Sequence, residues 1–288
     1  MTPVIAISKD TIREMTKRKL ILAIVIAGIL TAILFLIFSG IVGIISQKLV
    51  HSMLQGRSVS QEEIKILTQE VNQKGFGTLV TFFSIAIDLL GIFLVLLTFS
   101  TFLPTEIDRG TIKLIISKPV SRLEVVLGKF LAGTIVLLSY SILMGVMLIL
   151  GSIYLNGKVD YSDIYGCILM FCKLLMMGSI TMAMSMMMRP ILASVVTFFL
   201  SGDIFVWVAT IFYSSKPLYY IFVALYYILP SYSIFEVHNI KNLFLSLFVK
   251  IPPLTSGDIF YKAGYSMDII LIMLAITVIL FNKKDLIQ

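Results

Sequence analysis

The sequence predicts an all-α protein that threads a bilayer several times. Hydrophobic residues make up 58% of the 288 positions and charged residues 14%, and mean hydropathy is +1.01. A soluble chain of this length would hold far more charge, so composition places the protein in the membrane class. The second observation is spacing: uncharged runs of about 20 residues, enough to cross roughly 30 Å of hydrocarbon at 1.5 Å per residue, recur along the chain. The third is where the charge sits. The formal net charge is +7, and the basic residues lie mostly beside the apolar runs. That is a pattern of membrane orientation and not of nucleic-acid binding.

Taken in order, residues 1–20 are polar and basic, carrying Lys9, Arg13, Lys17, Arg18 and Lys19 against Asp10 and Glu14. A short helix lying on the membrane surface is expected here, with Thr11 and Glu14 as a capping box at its start. Residues 21–45 form the first span. Residues 47–74 turn polar, and Ser60 with Glu63 offers a second capping box before Ile64, Ile66 and Leu67. The second span is 78–103, stopped by Pro104, and it places Asp88 within the membrane. A charged carboxylate there costs about 2.5–3.5 kcal/mol on insertion scales, so it must face protein or water.

The third span is 130–155. A short polar turn with Asn156-Gly157 makes the fourth, 164–188, its antiparallel neighbour. The fourth span holds Lys173, expected to snorkel, to pair with Asp88 or Asp203, or to line a pathway. It also holds Cys167 and Cys172, read as small buried hydrophobes, and methionines at 182, 184, 186, 187 and 188. Thioether suits copper(I), but these five do not share one helical face, so gap-filling is the favoured reading. Arg189-Pro190 turns the chain into the fifth span, 191–213, which contains Asp203. Leu218–Leu229 is only about 12 residues long before Pro230, too short to cross comfortably, and fits a re-entrant or interfacial helix. A further span over 218–235 is the alternative. The sixth span is 265–281, followed by Lys283-Lys284. With six spans, thirteen basic residues fall on the side of the N-terminus and nine on the other. The bias puts both termini in the cytoplasm.

On that same side lies the most informative stretch, residues 105–129. It is a charged island between two spans, carrying an apolar cluster at Ile112, Leu114, Ile115 and Ile116. Gly110 permits a break after the second span, Thr111–Ser117 reads as a short helix, and Pro119 fixes a bend. Ser121 and Glu124 then form a capping box for the next helix. The product is a helix–bend–helix elbow with one apolar face, a docking element that lies on headgroups or fills a groove on a soluble partner.

The run of Glu106, Gly110, Thr111, Pro119, Ser121, Arg122, Gly128 and Lys129 resembles the cytoplasmic loop of the type-2 ATP-binding-cassette (ABC) transporter permeases. It looks closest to the branch associated with maturation of multicopper enzymes such as nitrous oxide reductase. The resemblance extends over the whole chain through the basic entry helix, the six spans and the short segments between the fifth and sixth. It implies a permease domain over 1–288 that binds no cofactor itself. ATP and magnesium would sit on a separate cytoplasmic ATPase, and no phosphate-binding loop motif occurs in this sequence. It further implies a second permease copy, residence in the cell membrane and, by likeness alone, export. Ile112, Leu114, Ile115 and Ile116 would dock the ATPase, while Glu106, Arg109 and Arg122 would set orientation. Asp88 and Asp203 depart from relatives whose spans are nearly free of acid. With Lys173 they form a candidate pathway set, and no metal site is expected.

Two other classes are consistent with intramembrane carboxylates. A proton-coupled secondary transporter would use Asp88, Asp203 and Lys173, and predicts internal repeats that are not evident. An intramembrane aspartyl enzyme would pair Asp88 with Asp203, but no motif around either residue resembles those enzymes.

Overall fold

The structure is a computed structural model and describes residues 3–17, a series of positions between 26 and 52, and residues 86–108, 120–156, 161–200, 216–230 and 256–283, together with Tyr232 and Phe235. Among the described residues it is helical throughout, with no strand. In lipid a helix satisfies its own backbone polar groups within one segment, which is why so apolar a chain resolves into helices.

The N-terminal helix α1 (Pro3–Lys17) begins on proline, whose missing N–H is an orphan in any first turn. This moves the expected cap. Thr11 is mid-helix, and its hydroxyl donates to the Ile7 carbonyl at 2.8 Å instead of starting a helix with Glu14. Thr11 and Met15 are buried, so α1 lays one face on the bundle. The described positions between 26 and 52 are helical, and they expose Ile29, Leu30, Ile33 and Ile37.

Four helices among the described residues are long and apolar enough to cross a membrane. The first is α2 (Ala86–Ile107). Pro104 does not end it as expected. The chain makes a turn over 100–103, and Pro104 opens one further short helical piece, Pro104–Asp108. Proline suits that first-turn position, and the Thr98 and Thr101 hydroxyls donate to carbonyls of the preceding turn. The second, α3 (Arg122–Asn156), is 35 residues long and starts well before residue 130. Next, α4 (Tyr161–Met187) follows within a few residues and packs back along α3, as the short turn requires.

Arg189 in extended conformation and Pro190 at the first turn open α5 (Pro190–Phe199). Its Ser194 hydroxyl donates to the Leu96 carbonyl of α2 at 3.1 Å. The rest of the expected fifth span, with Asp203, lies outside the described residues. The 13-residue α6 (Lys216–Ile228) stops before Pro230. The last helix, α7 (Ser256–Lys283), packs chiefly on α4 and also on α3.

The core lies between α2, α3 and α4. Phe99 of α2 is fully buried, and its ring occupies a slot made by two glycines. A Cβ placed on Gly133 of α3 would lie 2.2 Å from that ring, and one on Gly178 of α4 would lie 3.0 Å from it. Small residues let helices approach closely where lipid supplies no hydrophobic drive to associate them. Outward, α2, α3 and α7 expose Phe93, Leu97, Leu138, Ile142 and Leu271, the surface expected of a bundle solvated by acyl chains.

Candidate functional site

The two stems of the charged segment are described, and they are fastened to each other. Glu106, at the end of α2, forms an ion pair with Lys129, about two turns into α3. The Lys129 side chain is almost entirely buried, and its ammonium lies 6.0 Å from the centre of the Phe102 ring. A buried ammonium needs both a carboxylate and polarisable neighbours, and Glu106 with Phe102 supplies them. The base of the segment is thereby closed by a charge pair in an otherwise apolar corner. Thr11, Glu14 and Met15 of α1 face Leu97, Thr101 and Lys129 across a shallow pocket at this corner. Gly128 allows α1 to lie that close, because a Cβ there would sit 2.9 Å from the Ile7 side chain and 3.0 Å from the Val4 carbonyl.

At the start of α3 the Ser121–Glu124 capping box is formed. The Ser121 amide donates to Glu124 Oε2 at 2.7 Å and the Ser121 hydroxyl to the same oxygen at 2.8 Å, while the Glu124 amide returns a bond to Ser121 Oγ at 3.3 Å. Arg122 turns inward. Its Nη1 donates to the carbonyls of Phe281 and Asn282, both at 3.0 Å, and its guanidinium lies 5.9 Å from the Phe281 ring centre. Those carbonyls belong to the last turn of α7, whose unsatisfied acceptors attract a cation. Arg122 therefore joins the segment to the C-terminal helix. Arg109, Gly110, Thr111, Ile112, Leu114, Ile115, Ile116 and Pro119 lie outside the described residues.

A second charged node lies near the start of the described part of α2, level with the middle of α4. Lys173 Nζ of α4 donates to Asp88 Oδ2 at 2.6 Å. The Lys173 side chain is 5% exposed and that of Asp88 24%, so the amine is sealed and the carboxylate partly open. α3 joins the node through Tyr140, whose hydroxyl donates to the Ile87 carbonyl at 2.6 Å. Gly91 makes room for this convergence, since a Cβ there would lie 2.8 Å from Leu174 and 3.1 Å from the Tyr140 ring. Of the partners considered for Lys173 from sequence, Asp88 is paired with it, and Asp203 lies outside the described residues.

The methionines of α4 divide around the helix. Met182 and Met186 are buried in the core, while Met187 is 65% exposed. Both cysteines are free thiols, and Cys167 packs where Gly145 leaves space. Among the described residues no group of three or more His, Cys, Asp or Glu side chains comes together as a metal site. His238, without a partner at ligand spacing in the sequence, lies outside them.

Residue-by-residue reading of the sequence missed Tyr140, Phe99, Gly133 and Gly178. The available signal was the glycines, which interrupt otherwise bulky spans and mark close approach.

These features describe a polytopic membrane protein whose charged segment is braced by ion-paired stems. Residues 5–286 match the family described as ABC-2 family transporter protein, and the chain belongs to that family. It is accordingly a membrane component of an ABC transporter, a multi-pass permease of the cell membrane that works with an ABC ATPase subunit. Comparison with curated protein sequences finds no match.

Proposed function

We propose that this chain is the permease subunit of an ATP-driven exporter, and that residues 105–129 receive the mechanical stroke of a separate cytoplasmic ATPase. The observation that carries this is the closed base of that segment within a chain of the ABC-2 family: Glu106 and Lys129 hold the two stems side by side. A loop with independent stems would dissipate a push, whereas paired stems pass it to α2 and α3 together. Ile112, Leu114, Ile115 and Ile116 then form the apolar docking face, with Arg109 at its edge. Both termini lie in the cytoplasm, as the basic residues of α1 and the Lys283-Lys284 ending favour. Two permease copies frame one path, along which Asp88, Lys173 and Asp203 are placed. ATP and magnesium belong to the ATPase.

Co-purification tests the docking. Leu114→Glu and Ile115→Glu are expected to insert into the membrane normally and to lose the ATPase from the purified complex. Retention of the ATPase by both variants would overturn the assignment.

A further inference from the structure

We infer that the Asp88–Lys173 pair is a latch that holds α2 to α4 inside the bundle, away from the charged segment, and that α2 is the rod connecting the two. The inference rests on the permease reading for its role in the cycle, but the latch itself is a property of this chain alone.

Asp88 and Glu106 are 18 residues apart, at the two ends of the described part of α2. Each of these two carboxylates is paired with a lysine on a different neighbour: Glu106 with Lys129 of α3, and Asp88 with Lys173 of α4. Between them Phe99 is keyed against Gly133 of α3 and Gly178 of α4. A helix pinned in this way at three levels cannot slide freely past its neighbours. Displacement delivered at Glu106 must therefore reach Asp88.

The two pairs are not equivalent. Near Glu106 the charge is backed by α1, Phe102 and the adjoining loop stems. At Asp88 the carboxylate is about a quarter exposed while the lysine is sealed, so the pair is open on the Asp88 side. Tyr140 ties α3 to the backbone at Ile87 and not to the carboxylate. Among the described residues, the charged contact between α2 and α4 at this level is the Asp88–Lys173 pair, beside a close approach at Gly91. An ion pair suits a latch, because it is strong when desolvated and weakens steeply when water enters.

The test is a distance measurement on the purified full-length chain. Spin labels are placed at Leu89→Cys on α2 and Ile168→Cys on α4, both exposed positions, with Cys167→Ser and Cys172→Ser removing the native thiols. With the pair intact a single narrow distance is expected. Asp88→Asn and Lys173→Gln should each give a longer, broader distribution, and the exchanged pair Asp88→Lys with Lys173→Asp should restore the narrow one. A distribution unmoved by either neutralisation overturns the latch, as does an exchange that fails to restore it. If a single neutralisation prevents accumulation, recovery of folded protein in the exchanged variant supports the pair, and continued loss overturns it. In complex with its ATPase, trapped with ATP and vanadate, the wild-type chain is expected to show the long distance. A hydrolysing complex that keeps the short distance overturns the gating role. Absence of any associated ATPase would refute the permease reading and leave the first result standing.

Discussion

At the scale of single residues, the charges inside this protein are held by specific partners and not merely by position. Lys129 is the sharpest case, an ammonium buried at the edge of an apolar core with Glu106 as its counter-ion. Removing one member of such a pair strands the other in low dielectric, whereas removing both need not destabilise. Lys129→Met is therefore expected to lower stability by about 3 kcal/mol, and Glu106→Gln with Lys129→Met to recover most of that loss, as read from thermal unfolding in detergent. Phe99 makes a second test. Its ring fills the space that Gly133 and Gly178 leave, so Phe99→Ala opens a cavity and should cost roughly 3–5 kcal/mol in reversible unfolding. If it costs under about 1 kcal/mol, the glycine slot collapses on its own and does not key α2 in place.

At the scale of elements, α1 is the piece whose attachment is most exposed to change. It is amphipathic, carries basic residues, and is the kind of helix that lies in a headgroup layer by itself. Here it is also docked on α3, across Gly128. Gly128→Leu would drive a side chain into Ile7 and the Val4 carbonyl, where backbone cannot yield cheaply. The expected result is release of α1 with the transmembrane bundle intact, seen as faster proteolysis near residues 3–17 and an unchanged melting of the remainder. Arg122 is the corresponding joint for α7. Arg122→Ala leaves the Phe281 and Asn282 carbonyls without their donor, and hydrogen exchange in the last turn of α7 should rise. Arg122→Lys, which keeps the charge but not the fork, should protect that turn only in part.

At the scale of the whole molecule, the charged segment communicates with both ends of the chain. Its stems pair with each other, its second stem receives α1 through Gly128, and Arg122 receives the end of α7. A rigid-body mechanism needs such a hub, because packed helices shift between discrete arrangements and do not deform continuously. On the proposed docking role, substituting Leu114 or Ile115 should thus abolish ATP-dependent movement without altering the unfolding transition of the permease. A variant that loses both would show that the face is part of the core instead of a docking surface.

What the sequence by itself determined were the properties that depend on local composition and spacing. Uncharged runs of bilayer length, prolines and glycines at their ends, and the Ser121–Glu124 cap are all read within a few residues, and family membership follows from the pattern as a whole. Local reading failed where two signals competed. Thr11 and Glu14 have the spacing of a cap, but Pro3 starts the helix earlier and turns Thr11 into a buried mid-helix residue. Pro104 has the look of a stop, but a proline also suits the first turn of a new helical piece. The tertiary structure alone decided which charge meets which. Lys173 finds Asp88 across 85 positions of sequence and Arg122 finds the Phe281 carbonyl across 159. Periodicity cannot reveal such partners, because it fixes the face a residue occupies on its own helix and leaves open which helix lies opposite. That choice belongs to packing, made here by Phe99 seated against Gly133 and Gly178.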